Sequence, residues 1–147
     1  MTKPAYRRLK VQVQLVRDLP ENKAVCRSPG DAYKLVRDEL AKADREKCLS
    51  LILNSRNQVV GIDEVSVGSL NSSIIHPREV YKSAILANAA SIILVHNHPS
   101  SDVEPSEDDL TITKRLWEAG KIIGIDLVDH LIVGRDGFLS FKSKKLL

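Results

Sequence analysis

The stretch from His96 to Asp109 constrains this chain most, because it places two histidines and an aspartate between a strand and a helix. The preceding apolar run, residues 90–95, is too short for a helix and predicts a buried strand. Residues two apart on a strand point to the same face, so His96 and His98 can present their imidazoles to one point. Ser106 can cap the following helix, which places Asp109 in its first turn, within reach of the strand end.

Two imidazoles and one carboxylate make up a ligand set that suits a divalent transition metal, zinc first. Three protein ligands leave a fourth position for water, which is typical of hydrolytic rather than structural zinc. A structural site would favour a fourth protein ligand, usually cysteine, yet neither cysteine of the chain lies near a histidine in the sequence. We therefore predict that His96, His98 and Asp109 bind a catalytic Zn²⁺ ion, with Asp102 as the substitute if Asp109 is not a ligand.

Three segments of the chain carry a resemblance to a known family. Residues 96–109 read His-x-His-Pro, six further residues, then Ser-x-x-Asp, which resembles the metal motif of JAMM (JAB/MPN) proteins. The flanking segments His76-Pro77-Arg78-Glu79-Val80 and Asp129-His130-Leu131-Ile132-Val133-Gly134 resemble the RadC-like branch in particular. Ser101 departs from that branch, whose loop usually has glycine there. If the loop needs a positive φ at this position, Ser101 must adopt it with some strain.

At 147 residues the chain should form one domain, and its alternation of helical and strand patterns predicts an α/β fold with a mixed sheet. The resemblance implies an MPN/JAB-type α/β/α domain over residues 28–147, with a mixed, largely antiparallel sheet flanked by helices. Residues 1–27 would supply a poorly ordered lead (1–9) and a first strand (11–15). Further strands are expected at 46–53, 58–69, 90–95, 123–133 and 138–141, and helices at 28–44, from 77, and at 106–119, the last stopped by Gly120.

The same resemblance implies a general base and a hydroxyl that stabilises an oxyanion. Glu46 opens a strand well upstream of the motif, as the family's base does, and would take a proton from metal-activated water and pass it to the leaving amine. Glu64 is the rival base, although its mid-strand position favours exposure to solvent. Ser106 has the family's position for oxyanion stabilisation, but it is also placed as an ordinary helix cap. His76 is expected in the turn before a helix, and His130 as a hydrogen-bonded structural residue or as a support behind the ligands.

These features predict a zinc-dependent metallohydrolase of the JAMM type that cleaves a peptide or isopeptide amide bond. Its substrate would be a protein or peptide, with a ubiquitin-like protein as one candidate, and a homodimer is compatible with the sequence. The alternative is a DNA-repair-associated or scaffold module of the MPN type without proteolytic activity. A net charge of +3 permits contact with DNA without requiring it. The chain has no apolar run of membrane-spanning length and no signal-peptide pattern, so a cytoplasmic location is expected.

Overall fold

The computed structural model describes residues 24–68 and 75–147, together with the single positions Thr2 and Ala5. Apart from those two positions, the predicted lead (1–9) lies outside the described residues, as do the predicted strand at 11–15 and Ser69. Within the described ranges, the elements are α1 (Pro29–Ala41), β1 (Glu46–Leu53), β2 (Val59–Gly68), α2 (Pro77–Leu86), β3 (Ser91–Asn97), α3 (Glu107–Ile123), β4 (Asp126–Val133) and β5 (Phe138–Ser140). Among the described residues, no helix combines the length and the apolar composition that crossing a membrane requires.

The five strands form one sheet in the order β2-β1-β3-β4-β5. Three of the four neighbouring pairs are antiparallel, and β3 and β4 are parallel. Parallel strands need a crossover connection, and α3 supplies it between β3 and β4. The predicted α/β class and the mixed, largely antiparallel sheet are both confirmed.

The sheet separates two apolar layers, because successive side chains along a strand point to opposite faces. On one face, α1 packs over Leu49 and Leu51 of β1. On the other face, α2 and α3 pack over Cys48 of β1 and Leu94 of β3. His96 follows Leu94 by two residues, so the end of β3 directs its imidazole into the layer that contains α3.

The prediction that Gly120 stops the helix after the motif is wrong. Helix α3 continues to Ile123 and ends at Gly124, whose φ of 87° is the left-handed conformation that glycine adopts readily. Gly120 instead lies within the helix, at a point where Ile125 and Tyr81 approach its main chain closely. A Cβ there would lie 2.5 Å from the carbonyl oxygen of Ile125 and from the hydroxyl of Tyr81. The following strand consequently begins at Asp126 and not at residue 123.

Candidate metal centre

Three side chains meet where β3 ends and α3 begins. The Nε2 atoms of His96 and His98 are 3.0 Å apart. His96 Nε2 lies 3.1 Å from Asp109 Oδ1, and His98 Nε2 lies 3.1 Å from Asp109 Oδ2. His96 and Asp109 are buried, whereas His98 is partly exposed. The geometry therefore brings the three predicted ligands together and leaves the group open to solvent on the side of His98.

The spacing and chemistry of these donor atoms fit a metal ion. A tetrahedral zinc ion with bonds of about 2.05 Å would separate its ligand atoms by roughly 3.3 Å, close to the distances found here. His98 Nδ1 lies 2.6 Å from the carbonyl oxygen of Asp102, which can only accept a hydrogen bond. Nδ1 of the neutral ring must therefore carry the proton, which leaves a lone pair on Nε2 facing Asp109. Among the described residues, this is the group of histidines and acids that could hold a metal ion.

The start of α3 orients the Asp109 carboxylate. Ser106 Oγ accepts the N–H of Asp109 at 3.1 Å, and the Ser106 N–H donates to Asp109 Oδ2 at 2.8 Å, which completes a capping box. Burial acts to raise the pKa of Asp109, but its contacts with His96 and His98 outweigh burial and hold this pKa well below its usual range. The carboxylate is thus ionised, as a metal ligand must be.

Glu46 shares a face of the sheet with the three candidate ligands. It precedes Cys48 by two residues, and Cys48 is paired with His96 across the β1–β3 ladder. The hydrogen bond to Asp109 is the main cause that raises the pKa of His98, and the negative charge of Glu46 adds to that rise. Glu46 therefore lies near enough to act electrostatically on a candidate ligand.

Asn97 fixes the main chain on both sides of Glu46. Its Oδ1 accepts the N–H of Lys47 at 2.7 Å, and its Nδ2 donates to the carbonyl oxygen of Arg45 at 2.9 Å. Asn97 lies between the two histidines of the motif, so one short segment both supplies the imidazoles and holds the start of β1. The role of Asn97 was not predicted, because its partners are about fifty positions away in the chain.

Glu64 lies on the opposite face of the sheet. It is paired with Leu49, which belongs to the layer under α1, and its carboxylate is 3.8 Å from Lys47 Nζ. The same ammonium lies 3.8 Å from Glu39 on α1. The sheet therefore separates Glu64 from the candidate metal ligands.

The ring of His130 contacts a candidate ligand directly. Its Nε2 is 2.7 Å from His96 Nδ1, and its Nδ1 is 2.6 Å from Thr113 Oγ1. The ring is fully buried, and burial holds the pKa of His130 well below its ordinary value, so the ring is neutral. His130 is hydrogen-bonded as predicted. The contact of Thr113 was not predicted, and its only signal in the sequence is the position of Thr113 one helical turn after Asp109. His76 precedes α2 as its N-cap, as expected, and lies outside the group.

The loop between the two histidines and α3 contains the residue that departs from the RadC-like pattern. Ser101 has a φ of 67°, so a serine adopts the left-handed conformation for which glycine is suited. Its N–H donates to the carbonyl oxygen of His98 at 2.9 Å. Asp102, the substitute ligand, contributes its main-chain carbonyl to His98, while its carboxylate accepts the N–H of Glu104. The expected strain at Ser101 is therefore present, and the carboxylate of Asp102 is engaged within the loop.

Comparison with known protein sequences identifies the family of this chain. A UPF0758 protein of Desulforamulus reducens is 53% identical over 127 residues, which cover 86% of this chain and 56% of that protein. A UPF0758 protein of Moorella thermoacetica is 51% identical over 142 residues, covering 95% of this chain and 62% of the relative. The chain thus spans little more than half the length of these curated relatives. The sequence matches the RadC-like JAB domain over residues 26–146, and the chain therefore belongs to the RadC-like JAB domain family.

Proposed function

We propose that this domain is a zinc-dependent metallohydrolase of the JAMM type that cleaves a peptide or isopeptide amide bond. The observation that carries the proposal is the convergence of His96 Nε2, His98 Nε2 and the Asp109 carboxylate within about one ion's reach, on the sheet face that Glu46 shares. A site of three protein ligands with an open side is typical of catalytic and not of structural zinc. The partial exposure of His98 gives a substrate access to that side.

Each residue near the group has a role that follows from its position. A zinc ion bound here would supply a water of lowered pKa and a positive charge that polarises a carbonyl group. The carboxylate of Glu46 would accept a proton from the attacking water and deliver it to the leaving nitrogen, which makes it both general base and general acid.

Ser106 is suited to a second role beside its capping bond. Its Oγ accepts the N–H of Asp109 through a lone pair, which leaves the hydroxyl proton for another acceptor. The residue is exposed, and it adjoins the carboxylate of Asp109, to which its main-chain N–H donates at 2.8 Å. It would donate to the negative charge that develops on the carbonyl oxygen of the substrate.

The substrate we propose is a protein or peptide, with a ubiquitin-like protein as one candidate. Because the chain spans little more than half the length of its curated relatives, the substrate, association with DNA and dimerisation are all proposals for this chain. An unbiased peptide-cleavage screen with the zinc-loaded domain would identify the sequence that is cut.

The test uses two glutamates on opposite faces of the sheet. Glu46→Gln should retain bound zinc and abolish hydrolysis of a peptide from the screen, because it removes the proton acceptor without removing a ligand. Glu64→Gln is the matched control, since it makes the same change across the sheet and should leave both zinc content and turnover unchanged. Unchanged turnover in Glu46→Gln would refute its role as the base. A zinc-loaded parent that cleaves no peptide or isopeptide would instead favour the scaffold or DNA-associated alternative.

A further inference from the structure

A chain of buried hydrogen bonds runs behind His96, away from the open side of the candidate metal centre. It passes from His96 Nδ1 to His130 Nε2 at 2.7 Å, from His130 Nδ1 to Thr113 Oγ1 at 2.6 Å, and from Thr113 Oγ1 to the carbonyl oxygen of Asp109 at 2.7 Å. All four residues are buried. We propose that Thr113 and His130 are positioning residues that fix which ring nitrogen of His96 faces the metal, an inference that rests on the proposed metal centre.

The donor and acceptor of each hydrogen bond in this chain of hydrogen bonds follow from counting protons. The Thr113 hydroxyl has one proton and donates it to the carbonyl oxygen of Asp109, so toward His130 it can only accept. His130 Nδ1 must then carry a proton, and the Nε2 of this neutral ring is an acceptor. His96 Nδ1 therefore donates to His130, which leaves an unprotonated Nε2 on His96 for a metal ion.

The opposite direction would block the site. If the Thr113 hydroxyl donated to His130 Nδ1, the proton of His130 would reside on Nε2 and point at His96 Nδ1. A neutral His96 would then carry its proton on Nε2, between His98 and Asp109, where a metal ligand needs a lone pair. The carbonyl oxygen of Asp109 thus selects the tautomer that can bind a metal.

The chain of hydrogen bonds also connects two candidate ligands to each other. It starts at His96 on β3 and ends at the main chain of Asp109 on α3, whose side chain returns to His96 Nε2 at 3.1 Å. The ring of His130 on β4 lies between these elements. A shift of either ligand would therefore stretch hydrogen bonds that are out of reach of water.

A bulge in β4 directs His130 toward His96. The β3–β4 register moves from Ile92 opposite Leu127 to Ile93 opposite Asp129, so β4 contains one extra residue at this point. Leu127 and His130 both face the α3 side although they are three positions apart, which a regular strand does not allow. Phe141 stacks on the His130 ring with centroids 4.5 Å apart and holds it from the other side.

The first test measures zinc affinity by competition with a chelating dye. Thr113→Val removes the hydroxyl with little change of shape and should weaken zinc binding by about 10- to 100-fold, the usual effect of losing a group that orients a ligand. Thr113→Ser restores the hydroxyl and should restore the affinity. Thr111→Val is the matched control, because the Thr111 hydroxyl makes the same bond to the carbonyl oxygen one turn earlier, at 2.9 Å, on the exposed face of α3. It should bind zinc as the parent does.

The second test determines the tautomer of His130, and with it the direction of the hydrogen bonds, in the unmutated protein. Nitrogen-15 NMR of the zinc-loaded domain should show His130 in the Nδ1–H tautomer, and His130 protonated on Nε2 would overturn the proposal. Parental zinc affinity in Thr113→Val would overturn the proposal as well. If that variant does not fold, the tautomer of His130 in the unmutated protein alone tests the proposal. A parent protein that binds no zinc would refute the proposed metal centre itself, which is a separate outcome.

Discussion

Two Ser-x-x-Asp capping boxes in the described part of the chain allow the proposed catalytic role of Ser106 to be distinguished from its capping role. Ser28 Oγ accepts the N–H of Asp31 at 3.3 Å at the start of α1, and Ser106 Oγ accepts the N–H of Asp109 at 3.1 Å at the start of α3. Both serines are exposed, so replacement by alanine removes the capping bond without opening a cavity. Ser28→Ala and Ser106→Ala should therefore each lower the free energy of unfolding by about 1 kcal/mol.

Only one of the two serines lies at the candidate metal centre, so their effects on turnover should differ. Urea unfolding in the presence of EDTA would measure the two losses of stability, and zinc-saturated turnover of a screened peptide would follow on the same variants. We expect Ser106→Ala to lower turnover by about 10²-fold or more, the effect of removing an oxyanion donor. Ser28→Ala should retain parental turnover. Equal turnover in the two variants would show that Ser106 is only a cap.

Two further predictions concern stability. Because burial holds the pKa of His130 well below its ordinary value, the unfolded chain takes up a proton below about pH 6.5 that the folded chain does not. The free energy of unfolding of the EDTA-treated protein should then fall by about 1.2 kcal/mol between pH 6 and 5, because the unfolded histidine goes from about three-quarters to almost fully protonated over this interval. The same slope in His130→Gln would contradict this. Asp109 is the main cause that raises the pKa of His98. The stability that His98 contributes is therefore present below about pH 6.5 and is lost as the pH rises above that value, so it does not cause the fall between pH 6 and 5. Gly120→Ala should destabilise the protein by about 2 kcal/mol in urea unfolding despite the better helix propensity of alanine, because the new methyl group meets Tyr81 and the main chain of Ile125; unchanged stability would contradict the close approach.

Features that depend on neighbouring residues could be predicted from the sequence. Strand β1 begins at Glu46 and ends at Leu53 as expected, and both Ser28 and Ser106 cap helices as expected. The grouping of His96, His98 and Asp109 could also be predicted, because all three lie within one strand end, one loop and one helical turn. Strand alternation and helix capping place them, and both act over a few residues.

Features that depend on distant pairing could not be predicted in the same way. Glu46 and Glu64 both lie in strands, and only the register of β1 against β2 and β3 shows that they occupy opposite faces. His130 reaches His96 through a parallel pairing and a bulge, and neither has a local signal in the sequence. A glycine at position 120 suggests a helix stop, but the close approach of Tyr81, 39 positions earlier in the chain, is the reason that no larger residue fits there.

The candidate metal centre is tested most directly by the zinc content of the purified domain and of two histidine variants, measured by atomic emission after dialysis. The parent should retain one zinc ion per chain, and His98→Ala should lose it because two ligands remain. His76→Ala is the control, since His76 lies at the start of α2 outside the group, and it should retain the ion. A full equivalent of zinc in His98→Ala would contradict the claim that His96, His98 and Asp109 share one metal ion.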